Sequence, residues 1–235
     1  MIAAVLGACS SSSDADDDGA EELSVDQLLT ESAAAMNAIE TASFTIEQTG
    51  ATLFIDDAGQ LGFESAEGRF ARPASSEAVV TVDALGFTTE VGAIAIDGQL
   101  WFTNPLTGDW TEAPDSFTFD PATLFDAGQG IPALLTEATG SAELIEDAAS
   151  ADDVPDAAQH YRLRTTVAAQ RVAVLTGGLV TEESEVDLWI DIETSRVVEA
   201  RFDLSIDGAE SSWRMTISDY DAEVTIVPPE LAAAG

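Results

Sequence analysis

The sequence contains no lysine; its eight basic residues are all arginine, set against 44 aspartates and glutamates. The formal net charge of −36 repels phosphate backbones, which argues against a nucleic-acid partner. It also leaves no polybasic patch to hold the chain against an anionic leaflet. High acidity without lysine suits a saline setting, where counterions screen the self-repulsion. Cys9 is the only cysteine, so no internal disulfide can form. His160 is the only histidine, and any Ser-His-Asp arrangement would have to be built on it. It sits in Gln159-His160-Tyr161 at an expected strand start, where a structural or surface role is the simpler reading. There is no glycine-rich phosphate loop, no HExxH and no Cys/His zinc spacing. No catalytic residue, cofactor or metal site is therefore expected. After Cys9 no apolar run approaches the ~20 residues that a spanning helix needs.

What is present begins at Leu6-Gly7-Ala8-Cys9, the shape of a bacterial lipobox. Small residues beside the cut fit a signal peptidase, and the Cys9 thiol then carries the acyl chains. The apolar stretch Met1–Ala8 is short and has no basic residue, so this reading expects a start upstream of Met1. The competing reading is an apolar N-terminus with an incidental cysteine. Residues 1–9 are thus read as a truncated signal, and 10–22 as an acidic, disordered tether. Asp14, Asp16, Asp18 and Gly19 match the first half of an EF-hand loop, but the bidentate position falls on Val25. A solvated tether is the expectation there.

Residues 23–230 are expected to form one domain, with 231–235 a tail; hydrophobic residues at 46% suffice for a sizeable core. Leu23–Glu40 reads as a helix with a Ser24/Gln27 capping box and an apolar stripe through Leu28, Leu29 and Met36. From Ala42 the period changes to two. Strands are expected over 43–49, 61–72, 77–85 and 87–96, with a bulge at Gly92 where the apolar parity shifts. Asp56–Gly59 reads as a turn, and Asp97-Gly98 as a tight hairpin turn into Leu100-Trp101-Phe102. Residues 104–119 read as loop. Short apolar helices at 121–125 and 131–138 look like covers laid over a sheet. Further strands are expected at 141–145 and 159–166, an acidic loop at 148–157, and a helix at 168–175 before Gly177-Gly178. The last third alternates most cleanly: Val186, Leu188, Ile190 and Ile192, then Val198 to Ile206, then Trp213, Met215 and Ile217, with Val224 and Ile226 closing the set. Such one-sided strands belong to an antiparallel sheet. Trp101, Trp110, Trp189 and Trp213 are open to two readings, a sugar platform or anchors in the sheet.

Taken together, these pieces resemble the LppX/LprA/LprF/LprG lipoprotein family. The likeness rests on Leu6-Gly7-Ala8-Cys9, Leu28-Leu29-Thr-Glu-Ser-Ala running into Ile39-Glu-Thr-Ala-Ser43-Phe44, and Ile96-Asp97-Gly98-Gln-Leu-Trp101 with Trp110. Asp120-Pro121-Ala-Thr-Leu124, Val186-Asp-Leu-Trp189-Ile190 and Arg214-Met-Thr-Ile-Ser218 extend it over nearly all of the mature chain. The resemblance implies an α+β fold, a curved antiparallel half-barrel with helices covering its concave apolar face, similar to the LolA and LolB carriers. It implies an apolar cavity for an acylated lipid or glycolipid, moved between envelope sites. Membrane attachment would be through Cys9, and an envelope transporter would be a further partner. Cavity-lining residues are expected to be Phe44, Ile46, Val80, Val82, Phe87 and Val91 on the strands, and Leu124, Ile131, Leu134 and Leu135 on the covers. From alternation alone the same face can pack shut as a core. The protein would then be a non-enzymatic adaptor binding an envelope protein. The extreme acidity and absent lysine depart from the family and leave the lipid headgroup open.

Overall fold

Helix α1 spans Val25–Ala38 and starts where the capping pair places it. The Ser24 hydroxyl accepts from the Gln27 amide, and the Gln27 side chain accepts from the Ser24 amide at 2.9 Å. Leu28, Leu29, Ser32 and Met36 form its buried stripe. This computed structural model describes residues 23–55, 59–84, 86–105, 107–113, 120–145, 159–176, 180–206 and 208–231. The lipobox, the tether with its half EF-hand, most of the Asp56–Gly59 turn and the acidic loop at 148–157 lie outside them.

After α1 come β1 (Thr41–Gly50), β2 (Leu61–Ala71), β3 (Ser75–Ala84), β4 (Phe87–Ile96), β5 (Gln99–Thr103) and β6 (Trp110–Glu112). A 3-10 helix (Pro121–Phe125) and α2 (Ile131–Glu137) lead to β7 (Glu143–Leu144), β8 (His160–Val167) and α3 (Ala169–Leu175). Strands β9 (Ser184–Asp191), β10 (Val197–Ile206) and β11 (Ala209–Ser218) complete the series. All pair antiparallel in one open, curved sheet of order β6-β5-β4-β3-β2-β1-β11-β10-β9-β8-β7. Two meanders therefore meet where the first strand pairs with the last. Asp97 (φ 51°) and Gly98 (φ 80°) both take left-handed conformations, the backbone that a two-residue hairpin matched to strand twist requires.

The helices lie on one face of the sheet, here the inner face. Asp120 caps the 3-10 helix by accepting from the Ala122 amide at 2.8 Å, and the Ser76 hydroxyl of β3 donates to the same carboxylate. Phe125 stacks on Phe70 with ring centroids 4.5 Å apart, with Phe44 6.2 Å away. Phe44 can cross β2 because Gly68 faces it: a Cβ there would lie 2.4 Å from the Phe44 ring and 2.6 Å from the Glu77 carbonyl oxygen. At the end of α1, Arg72 donates to the carbonyls of Ile39 (2.5 Å) and Asn37 (2.7 Å). The segment after β11 closes over the same corner. Asp221 accepts from the Glu40 amide at 2.9 Å and pairs with Arg196, while Tyr220 donates to the Val197 carbonyl.

Several expectations are corrected. β3 and β4 pair without a register shift through Val79↔Gly92, so Gly92 is not a bulge. The parity change arises because the inner face there is built of Ala93 and Ala95 under the covers, while Ile94 and Ile96 face outward. The observed bulges fall at Phe63/Ser65 and Val197/Glu199. Residues 110–112, read as loop, form strand β6, too short to show alternation. Val224 and Ile226 lie in no strand, and Ile192 sits beyond the end of β9, exposed. Trp189 faces outward yet is only 1% exposed, because Arg162 and Arg201 lie over its ring at 5.1 and 4.9 Å. The same outer patch joins Asp187 to Arg162 and Arg164, and buried Glu199 to Arg201 and Arg214. Half of the chain's arginines are thus held by carboxylates on one face.

Candidate functional site

Alternation and register together lay one apolar row across the inner face. On the N-terminal side it runs Ile46↔Ala66↔Val80↔Val91 over β1 to β4. On the other side Ile46 pairs with Met215, which continues to Ala200, Leu188 and Leu163 on β10, β9 and β8. Eight strands at about 4.8 Å spacing make a row roughly 34 Å long. Cover varies along it. Leu163, Leu188 and Ala66 are buried, whereas Ile46, Val80, Val91, Met215 and Ala200 are only half-buried. Half-covered apolar side chains in one row, on either side of the small buried Ala66, are the surface that an apolar ligand would complete.

Beside the middle of this strip, one step along the strands, lies an aromatic group from β2, β11 and β10. Phe63 stacks on Trp213 at 5.1 Å, and Trp213 on Phe202 at 6.0 Å and 4°. Trp213 Nε1 donates to Ser211 Oγ at 3.1 Å, and Gln48 Nε2 donates to the same hydroxyl at 2.9 Å. A small polar group therefore closes an otherwise apolar face.

The ten expected residues divide. Phe44, Leu124, Ile131, Leu134 and Leu135 belong to the closed core with Phe70 and Phe125. Val82 is 0% exposed although it shares a face with Val80. Ile46, Val80 and Val91 lie in the row. Phe87 is on the same face by register but is 77% exposed at the far strand end, away from the covers. Missed by the sequence reading were Met215, Trp213, Phe202 and Ala66. The alternation of β10 and β11 carried the signal for the first three; Ala66, on β2, is too small to mark a face.

No residue of the row can titrate. The shifted groups lie elsewhere. Burial alone would raise Asp187, but hydrogen bonds from Arg164 and Arg162 outweigh it and hold the carboxyl below its usual range. Burial likewise works against Asp191, whose bonds from Thr194 bring it down, and burial raises Tyr220. His160 faces outward, its Nε2 3.9 Å from Asp191 Oδ2, beyond hydrogen-bond reach. Among the described residues no group of three or more His, Cys, Asp or Glu side chains could hold a metal. No described helix is long and apolar enough to cross a membrane. The arrangement can hold an apolar chain; it offers no acid, base or nucleophile to one.

The family model of the LppX_LprAFG lipoprotein matches residues 24–226. Among solved structures, LprF from Mycobacterium bovis superposes with a TM-score of 0.61 at 16% identity, covering 87% of this chain and 96% of that one. LppX from Mycobacterium tuberculosis gives 0.55 at 17% identity, covering 86% and 98%. A weaker likeness, TM-score 0.29 at 13% identity, links a LolA superfamily protein of Nitrosomonas europaea over 88% and 96%. No curated protein sequence matches this chain.

Proposed function

Since the chain belongs to the LppX_LprAFG lipoprotein family, we propose that it binds an acylated lipid or glycolipid along the inner apolar row and carries it between sites of the cell envelope. The observation that supports this is the line from Ala200 to Val91, apolar throughout, half-covered at every position but Ala66 and too long for one side chain to cap. Burying a methylene there returns about 0.8 kcal/mol, so a chain of ten or more methylenes is worth several kcal/mol after ordering costs. In this reading Cys9 carries the acyl anchor, the domain works on the extracytoplasmic side, and an envelope transporter hands lipid to it or takes it away. The Gln48/Ser211/Trp213 group beside the row would meet the polar part of the lipid. Lipid mass spectrometry on full-length protein purified from its own host tests the proposal. An acylated lipid near one per chain is expected; lipid-free protein that also ignores added acyl probes would overturn it.

A second reading rests on the closed packing of Phe44, Leu124, Ile131, Leu134 and Leu135. If that packing extended over the row, the protein would be an adaptor that uses its outer face to bind an envelope protein. Crosslinking to a single protein partner, with no lipid recovered, is its signature.

A further inference from the structure

The outer face of the N-terminal meander carries a groove of about 600 Å³ on the side of the sheet opposite the apolar row. Two neighbouring lateral rows build it. One runs Ser218↔Ser43↔Arg69↔Glu77↔Ile94 and the next Thr216↔Thr45↔Glu67↔Val79↔Gly92. Its floor is therefore hydroxyl and carboxylate over β11 and β1 and at Glu67, the Arg69–Glu77 ion pair across β2 and β3, and apolar at Val79, Gly92 and Ile94. Trp110 closes the apolar end. It pairs with Thr103 on β5, and its six-membered ring reaches past β5 to lie over Gly92.

Gly92 is what admits the ring. A Cβ there would stand 2.9 Å from Cη2 and 3.1 Å from Cζ2 of Trp110. The Gly92 amide also donates to Thr103 Oγ1 at 2.8 Å, fixing the strand beneath the indole. Val79, 46% exposed, extends the apolar floor into solvent. An aromatic seated on a strand by a missing side chain, with an exposed valine beside it, is a preformed platform rather than a core contact.

The ligand must suit both halves. Arg69 in the groove is already paired with Glu77, and Glu67, Asp219 and a chain of net charge −36 repel anions. A wholly apolar ligand would strip water from Thr45, Ser43 and Glu67 without replacing their hydrogen bonds. A polyhydroxylated ring meets both demands: its C–H face lies on Trp110 and Val79, and its hydroxyls reach the carboxylate and the hydroxyls beyond. We propose that this groove is a neutral-saccharide site, seating a sugar ring on Trp110 with Glu67 and Thr45 as hydrogen-bond partners. It is on the other side of the sheet from the lipid row and does not depend on that assignment. The sugar could come from an envelope polysaccharide or from a glycolipid headgroup; the chemistry recognised is the same.

Isothermal titration of the full chain with neutral manno-, arabino- and gluco-oligosaccharides tests it, alongside a deacylated and an intact glycolipid. Saturable binding of at least one free oligosaccharide is expected. Trp110→Ala should weaken it roughly three- to tenfold, as loss of an aromatic contact does. Glu67→Gln, which keeps the size of an exposed side chain, should weaken it without lowering Tm, so a fold defect in Trp110→Ala does not decide the outcome. Val80→Trp, on the inner face, should leave it unchanged. Binding seen only when acyl chains are present and lost in Val80→Trp would overturn the proposal, because the sugar would then be read at the lipid row. Absence of heat with every free oligosaccharide at millimolar concentration, or preference for an oligo-arginine peptide, would overturn it as well.

Discussion

Val80 and Val82 are two residues apart on one strand and face the same way, yet Val82 is fully enclosed while Val80 is half open. Replacing each in turn with tryptophan separates a ligand wall from a core. At Val82 the indole has no space, and overpacking costs about 1–3 kcal/mol. For a domain near 200 residues, about 2–4 °C of Tm per kcal/mol makes that a fall of roughly 2–12 °C. At Val80 the ring can lie along the row over Ala66, its lateral neighbour, so Tm should move by less than about 2 °C. The same ring would displace about four methylenes of a bound chain. At about 0.8 kcal/mol each this is roughly 3 kcal/mol, or a loss of about 200-fold in affinity. Scanning calorimetry with titration of a fluorescent fatty-acyl probe into the full chain measures both quantities. If Val80→Trp loses as much Tm as Val82→Trp and the folded fraction binds the probe as before, the row is core and is not where the acyl chain lies.

Gly68→Ala should destabilise the protein by about 2 kcal/mol or more in chemical denaturation, because the new Cβ meets both the Phe44 ring and a backbone carbonyl; a change below 0.5 kcal/mol would mean that Phe44 is not wedged over β2. Glu199 is buried whereas the Arg201 and Arg214 side chains are about a third exposed and solvent-screened, so Glu199→Gln should cost roughly 1–3 kcal/mol in urea unfolding. Acid should act through Asp187. Its native pKa is lowered, so its contribution is complete above the ordinary carboxylate value near 4 and disappears as pH falls through the lowered native value. Asp187→Asn should therefore lower Tm at pH 6 and flatten the fall between pH 4 and pH 2; equal slopes for both proteins would show that the Arg162–Asp187–Arg164 cluster does not couple to folding.

Period and punctuation made most of the fold legible. The Ser24/Gln27 box marked α1, Asp97-Gly98 marked the β4–β5 hairpin, and the strict alternation of 184–218 marked three neighbouring strands. What failed has physical causes. Alanine is a poor marker of a face, so Ala93 and Ala95, buried where a large side chain would collide with the covers, made the parity at Gly92 look shifted. Trp189 sat among charged residues on the outward parity, and only the register of β8 and β10 showed two arginines roofing it. The site was harder still. Alternation names a face but not which of Val80 and Val82 is open; burial at each is set by contacts distant in sequence.

The pairing of first strand with last has a mechanical consequence. Ser43 lies opposite Ser218, so the chain enters and leaves the sheet side by side, and both meanders hang from that seam. A pull on the two ends loads β1 and β11 as a zip fastener, opening one pair at a time, a geometry that yields at low force. What stands at the slider is the clasp of Glu40 and Thr41 with Asp221 and Ala222, braced by Arg196. For a domain held at one end, that corner fixes the force at which it comes undone.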